Sequence, residues 1–296
     1  MTEVDRSIPF IDTHHHLWEL DRFHYDWLTE PGWAGHNALL GDYKMIRSGI
    51  GNPWRFFKEF YGANVIKSVH VEAAYAGPDP LEETVWLEEV GKEFGFPNAL
   101  VVFCDIEADG AEAKLDQHLA ASDRVRGVRI RAHPDDPTAA FRNGYAALAR
   151  RGLSYELNAS PGKILSGRDV AAANPDVQVI LGHAGFPVQR DDEYFALWKS
   201  EISALAEVEH VAAKVSGFGM ADNRWTIDSI RPWVLHMIEA FGPDRIMFGT
   251  NWPVDILYAT YLEQTDAYRR IVAEAGFSRA EQEAMLYRNA ERYYRI

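Results

Sequence analysis

A single α/β domain spanning residues 1–296, built as a TIM-type (β/α)8 barrel, is the fold class the sequence predicts. Two patterns and one positional regularity carry this reading. Eight short β-rich runs recur along the chain with helical patterns between them, and alternation of this kind implies parallel pairing. Eight such units in roughly 250 residues suit a closed barrel, with a doubly wound open sheet as the alternative that periodicity leaves open. The third observation is that charged and polar residues gather at the C-terminal ends of these runs. That is where a barrel builds its active site, while its interior is filled by branched apolar side chains.

In chain order the strand candidates are 8–14 (IPFIDTH), 65–73, 99–106, 124–132, 152–159, 177–183, 210–217 and 245–251. The segments 80–95, 112–122 and 138–152 place apolar residues three and four apart, the mark of a helix with one buried face. The first connection, residues 17–64, is too long for a simple crossover and is rich in Trp, Tyr and Gly. Over a barrel it is expected to form a lid or pocket wall, with Tyr25, Trp27 and Trp33 as its aromatic residues. The tail opens with Ser278 and Glu281 in capping-box spacing and predicts one last helix.

Composition bounds the function. Forty-seven per cent hydrophobic and 25 per cent charged residues is the balance of a globular protein with ample core. A formal charge of −14 argues against a nucleic-acid groove, which needs a basic surface. No apolar run reaches the ~18 residues of a membrane span, and the acidic N-terminus lacks a secretory pattern. Cys104, the only cysteine, lies in an apolar run and is read as buried packing. A cytoplasmic protein acting on a small molecule is the expectation; the aromatic tail leaves a homo-oligomer open.

The stretch FIDTHHHLW, residues 10–18, raises the functional question. In a regular strand Asp12, His14 and His16 share one face and His15 takes the other. Two imidazoles two apart at a strand end can converge on one ion, with Asp12 available to orient one of them. The competing explanation is a capped strand end. The other strands add His70 and Glu72, Arg129 and Arg131, Glu156 and Asn158, His183, Lys214 and Ser216, and Asn251. A gathering of this size at one end of the strands is the active-site hypothesis.

The order DTHHHLW, VEA, RGVRI, LGHAGFP, KVSG and RIMFGTNWPVD resembles the amidohydrolase superfamily, over essentially the whole chain. It is most similar to the amidohydrolase-2 branch that holds sugar lactonases and pyrone-dicarboxylate or muconolactone-type lactonases. The resemblance implies a hydrolase of a small ester, most often a lactone, and metal ligation by His14, His16 and His183. At the end of strand eight the family usually has aspartate, whereas this sequence has Asn251. An amide is neutral and accepts no proton, so it leaves a divalent charge uncompensated. The cofactor expectation is therefore one divalent ion, zinc or manganese, or a metal-independent site. Asp255, four residues on, is a candidate substitute carboxylate.

The mechanism expected is attack of an activated water on a lactone carbonyl, with His183, Asn251, Asp255 and Glu72 as catalytic candidates. Arg129, Arg131, His70, Trp18, Glu156 and Trp252 are the candidates for contacting substrate; a pair of arginines suits a carboxylate. An internal ion pair of either arginine with Glu72 or Asp105 is the structural alternative. A decarboxylase or hydratase on the same barrel, a hydrolase of an amide or acyclic ester, and a catalytically silent ligand-binding barrel remain alternative functions.

Overall fold

The computed structural model describes residues 4–29, 32, 35–47 and 49–296. Eight parallel strands follow one another round a barrel: β1 (Phe10–His15), β2 (Val65–Val71), β3 (Ala99–Phe103), β4 (Val125–Arg129), β5 (Ser154–Leu157), β6 (Val179–Leu181), β7 (Val211–Val215) and β8 (Ile246–Phe248). The last strand meets the first just beyond its end, where Asn251 N–H donates to His14 O and His16 N–H to Trp252 O, each at 2.7 Å. The observed strands are shorter than most of the β-rich runs because the run ends leave the sheet as loops; those loops carry His16, Glu72, Arg131, His183 and Asn251, while His14, His70, Arg129, Glu156 and Lys214 lie within the strands.

Helices cover the barrel wall. The predicted helical segments are found as Leu81–Phe94, Ala111–Ala121 and Ala139–Arg150. Thr138 caps the last of these by accepting the Phe141 N–H at 3.0 Å. Along β2, β3 and β8 the residues Val69, Val71, Ala99, Val101 and Met247 meet Ile11, Ile180 and Ala212 in an inner cluster. Alternate residues such as Phe10, Leu100 and Phe248 join the outer core against the helices.

The capping box at Ser278 and Glu281 is present. The tail runs as Arg279–Glu283, a π turn over Ala284–Arg288, and Asn289–Tyr294. Ala290 and Tyr294 pack into the inner cluster, so this segment fills the barrel. The first connection contains a two-residue ribbon (His36–Asn37 with Gly41–Asp42), a 3-10 turn and the helix Pro53–Glu59. Trp33 lies outside the described residues. Among the described residues no helix is long and apolar enough to cross a membrane.

Candidate active site

A cavity of about 660 Å³ opens at the C-terminal ends of the strands, lined by His16, Glu72, Arg129, Arg131, His183 and Asn251, among others. The lid contributes Trp27, Leu39, Leu40 and the carboxylate of Asp26, while Phe186, Met220 and Val254 complete an apolar wall. The Trp27 indole donates to Ala73 O at 3.0 Å, tying the lid to the end of β2.

The histidines converge. The His14 ring lies 5.0 Å from that of His16 and 4.1 Å from that of His183, centroid to centroid. Two glycines make room for them. A Cβ at Gly249 would come within 2.7 Å of His14 Cβ, and one at Gly217 within 2.5 Å of His183 Nδ1. His183 and Asn251 themselves hold left-handed backbone, φ 47° and 54°. Strain of that kind in non-glycine residues collects at functional sites.

Hydrogen bonding fixes which nitrogens are free. His183 Nδ1 meets Ser216 Oγ at 3.0 Å, leaving Nε2 without a hydrogen-bond partner among the described residues. Both ring nitrogens of His14 are buried without a hydrogen-bond partner among the described residues. His16 Nδ1 lies 2.8 Å from Val71 O and Nε2 3.2 Å from Asn251 Oδ1. Burial first, then neighbouring positive charge, pushes the pKa of His14 and His183 well below the usual histidine value. Burial and Arg129 take His16 down to about 3. Burial and the neighbouring positive charges thus favour the neutral form of all three imidazoles.

The three imidazole rings and the Asn251 amide oxygen lie close together, and both His14 nitrogens are buried without a hydrogen-bond partner among the described residues. The set is neutral, and among the described residues no group of three or more His, Cys, Asp or Glu side chains has the spacing of a formed metal centre. Imidazole and amide donors suit zinc or manganese without selecting between them.

Arg129 donates to Glu72 Oε1 at 2.8 Å and to Glu72 O at 2.7 Å, so the internal ion pair exists at this arginine. Glu72 also accepts the Ala74 N–H at 2.8 Å. Arg131 has no carboxylate partner among the described residues; it donates to Tyr75 O at 2.9 Å and lies over the Phe103 ring. The cavity therefore presents one anchored and one available guanidinium.

Several expected positions differ. Asp12 is not behind the histidines. The register of β1 against β2 slips between Asp12 and His15, and the Asp12 carboxylate instead accepts Thr250 N–H and hydroxyl and the Tyr261 hydroxyl. His70 is outside the cavity lining, because Val69 and Val71 take the inner face of β2 and turn His70 toward His15, 5.5 Å away. Trp18 and Trp252 are fully buried core residues, the latter against Phe56 at 4.8 Å, and neither lines the cavity. Glu156 is also withdrawn from it: its carboxylate pairs with Lys214 Nζ at 2.6 Å and accepts the Tyr294 hydroxyl at 2.5 Å inside the barrel.

Asp255 stands behind Asn251, accepting its Nδ2 at 3.0 Å, and does not line the cavity. Burial raises its pKa to about 7, against the bonds from Asn251 and Gly219. Sequence reasoning missed Glu83, whose carboxyl accepts the Ala73 N–H at 3.2 Å behind Glu72. Burial, then Glu72, raises it to about 8. Its signal was there to read, since Glu83 sits four residues before buried Leu87 on the apolar stripe of its helix.

This geometry belongs with known proteins. A profile of the amidohydrolase family matches residues 11–296. An uncharacterised protein, y4mH, of Sinorhizobium fredii is 35% identical over 98% of this chain and 99% of its own length. An L-fucono-1,5-lactonase of Burkholderia multivorans is 28% identical over 97% of this chain and 96% of its own. A crystal structure of a zinc-bound amidohydrolase from Burkholderia multivorans superposes with a TM-score of 0.79 at 26% identity, covering 97% of this chain and 99% of that one. Eight parallel strands, histidines at the ends of the first and sixth, and a family match running to the last residue lead to one assignment: this chain belongs to the amidohydrolase family of hydrolytic enzymes.

Proposed function

We propose that the chain hydrolyses a small lactone, a sugar-acid or related anionic cyclic ester, by attack of water on the ring carbonyl. The observation that carries this reading is the set of neutral imidazoles of His14, His16 and His183 beside a cavity whose wall bears Arg129 and Arg131. The 28% identity to an L-fucono-1,5-lactonase over nearly the full chain supports the substrate class.

His14, His16, His183 and the Asn251 oxygen would hold a divalent ion, which supplies Lewis-acid polarisation of a carbonyl and acidification of water. Arg131, with nitrogens to spare, binds a carboxylate or hydroxyl of the substrate. The apolar wall of Trp27, Leu39, Phe186 and Met220 excludes bulk water from the ring. Two carboxylates line the cavity among the described residues, Asp26 on the exposed lid and buried Glu72. Glu72, aimed by Arg129 and the Ala74 N–H, is the one assigned to take the proton of the attacking water. Asn251 takes no proton and serves as an oxygen donor.

A screen of aldono- and muconolactones, with and without prior chelation, tests the reading. Ring opening that is lost on chelation and restored by zinc or manganese is the expected result. Absence of lactone turnover together with carbon dioxide release from a carboxylated aromatic would replace it with the decarboxylase reading.

A further inference from the structure

We propose that Glu83 is a positioning residue for Glu72: from behind the turn that follows β2 it holds the Ala73 N–H, and so keeps the Glu72 carboxylate aimed into the cavity. This rests on the assignment of Glu72 as the base that takes the proton of the attacking water. Glu83 stands in the first turn of the helix Leu81–Phe94, and its buried carboxyl reaches back to accept the Ala73 N–H at 3.2 Å. One residue on, the Ala74 N–H donates to Glu72 Oε2 at 2.8 Å, which closes the base's side chain onto its own backbone. Two successive N–H groups are therefore taken by two carboxyls, one in the cavity wall and one behind it. Ala74 holds left-handed backbone, φ 62°, a conformation that persists in a non-glycine residue only where its surroundings impose it.

The rest of the turn is held by its carbonyls and by backbone. Glu72 O accepts Arg129 at 2.7 Å, Ala73 O the Trp27 indole at 3.0 Å and Tyr75 O Arg131 at 2.9 Å, while the Ala76 N–H donates to His24 O at 2.9 Å. Among the described residues Glu83 is the one side chain from outside the turn that accepts an N–H within it. Glu83 does not line the cavity, so its effect on the chemistry passes through Glu72. Burial, then Glu72, raises Glu83 to about 8 against the pull of Arg129 and Arg131, which favours its neutral form at pH 7. A protonated carboxyl still accepts through its carbonyl oxygen, so the Ala73 bond survives and no second negative charge competes with Glu72 for Arg129. The role asks for a neutral acceptor of this length, which an amide also supplies.

The test is steady-state kinetics of ring opening of L-fucono-1,5-lactone, or of the aldonolactone that wild type opens fastest, in wild type, Glu83→Leu, Glu83→Gln and Glu72→Gln at pH ~7, the range in which Glu83 stays neutral. Leucine at 83 fills the space without accepting a hydrogen bond. It is expected to lower kcat about 10–100-fold with KM little changed, since a base displaced by about 1 Å loses up to about 10²-fold while ground-state contacts remain. Glu83→Gln keeps a neutral acceptor for Ala73 and should restore most of that loss. Thermal melts check folding, and Glu83→Met, longer and unbranched, replaces the leucine variant if that one does not fold. Wild-type kcat in the apolar variant, a loss confined to KM, or a glutamine variant slowed about tenfold or more would overturn the positioning role alone. Wild-type kcat in Glu72→Gln would overturn the base and the role of Glu83 with it. Failure of the wild type to open any lactone would overturn the proposed function itself.

Discussion

Replacing Glu156 by glutamine removes the negative half of an ion pair that no solvent reaches: Lys214 is 0% and Glu156 1% exposed, with Nζ and Oε2 2.6 Å apart. Lys214 then keeps only neutral acceptors among the described residues, Thr13 O at 3.3 Å and the amide oxygen of the new glutamine. Burial already pulls the lysine pKa below its ordinary value, with Glu156 opposing the shift. With the carboxylate gone the lysine either stays charged and unpaired or loses its proton. Removing one partner of a buried ion pair costs about 3–5 kcal/mol, because the other charge is left uncompensated. A loss of that size corresponds to a fall in Tm of the order of 10 °C for a domain this large. Differential scanning fluorimetry and urea unfolding would measure it. Pairing Glu156→Gln with Lys214→Met should recover most of the loss, since both charges are then absent. An unchanged Tm with a raised KM would refute the reasoning and put Glu156 back in contact with substrate.

Three further outcomes follow from the site. His14→Ala or His183→Ala should lower kcat/KM on the order of 10²-fold or more with the fold intact, measured with the lactone that wild type opens. Arg131→Ala should raise KM roughly tenfold with kcat little changed, the loss of one charge-assisted hydrogen bond of ~1.5 kcal/mol used equally in ground and transition states. Acidification of the chelated protein from pH ~6.5 to ~5 should lower its Tm. Buried His14, His15, His16, His70 and His183 have folded pKa values depressed below the ordinary one, so the unfolded chain takes up protons there that the native state refuses. Asp12, Asp255 and Glu83, raised to about 6, 7 and 8, work in the opposite direction but are outnumbered. A Tm that rises over this interval would contradict the assignment.

The barrel was legible because helix and strand periods differ and eight alternations leave few topologies. His14, His16, His183 and Asn251 could be placed in one site because each stands at a strand's C-terminal end, a position set by local pattern. What escaped was set by register or by distant partners. One slip in β1 is enough to carry Asp12 from the histidines to Thr250 and Tyr261, and strand alternation alone does not reveal a slip. His70 fell to the same parity, one residue from inward-facing Val71. Glu156 looked like a cavity residue until Lys214 and Tyr294, 58 and 138 residues away in sequence, were seen to satisfy it. The lid side chains Asp26, Leu39 and Leu40 reach the cavity through a long connection whose path no periodicity encodes.

The central claim is that water, activated at the histidine cluster, attacks a lactone carbonyl. The most direct measurement is ring opening of L-fucono-1,5-lactone and related aldonolactones in oxygen-18 water, with the product acid analysed by mass spectrometry beside a His14→Ala control. The account predicts one heavy oxygen in the carboxylate, formed above the buffer rate by wild type and not by the variant. Label in the ring-derived hydroxyl, or equal rates for wild type and variant, would contradict it.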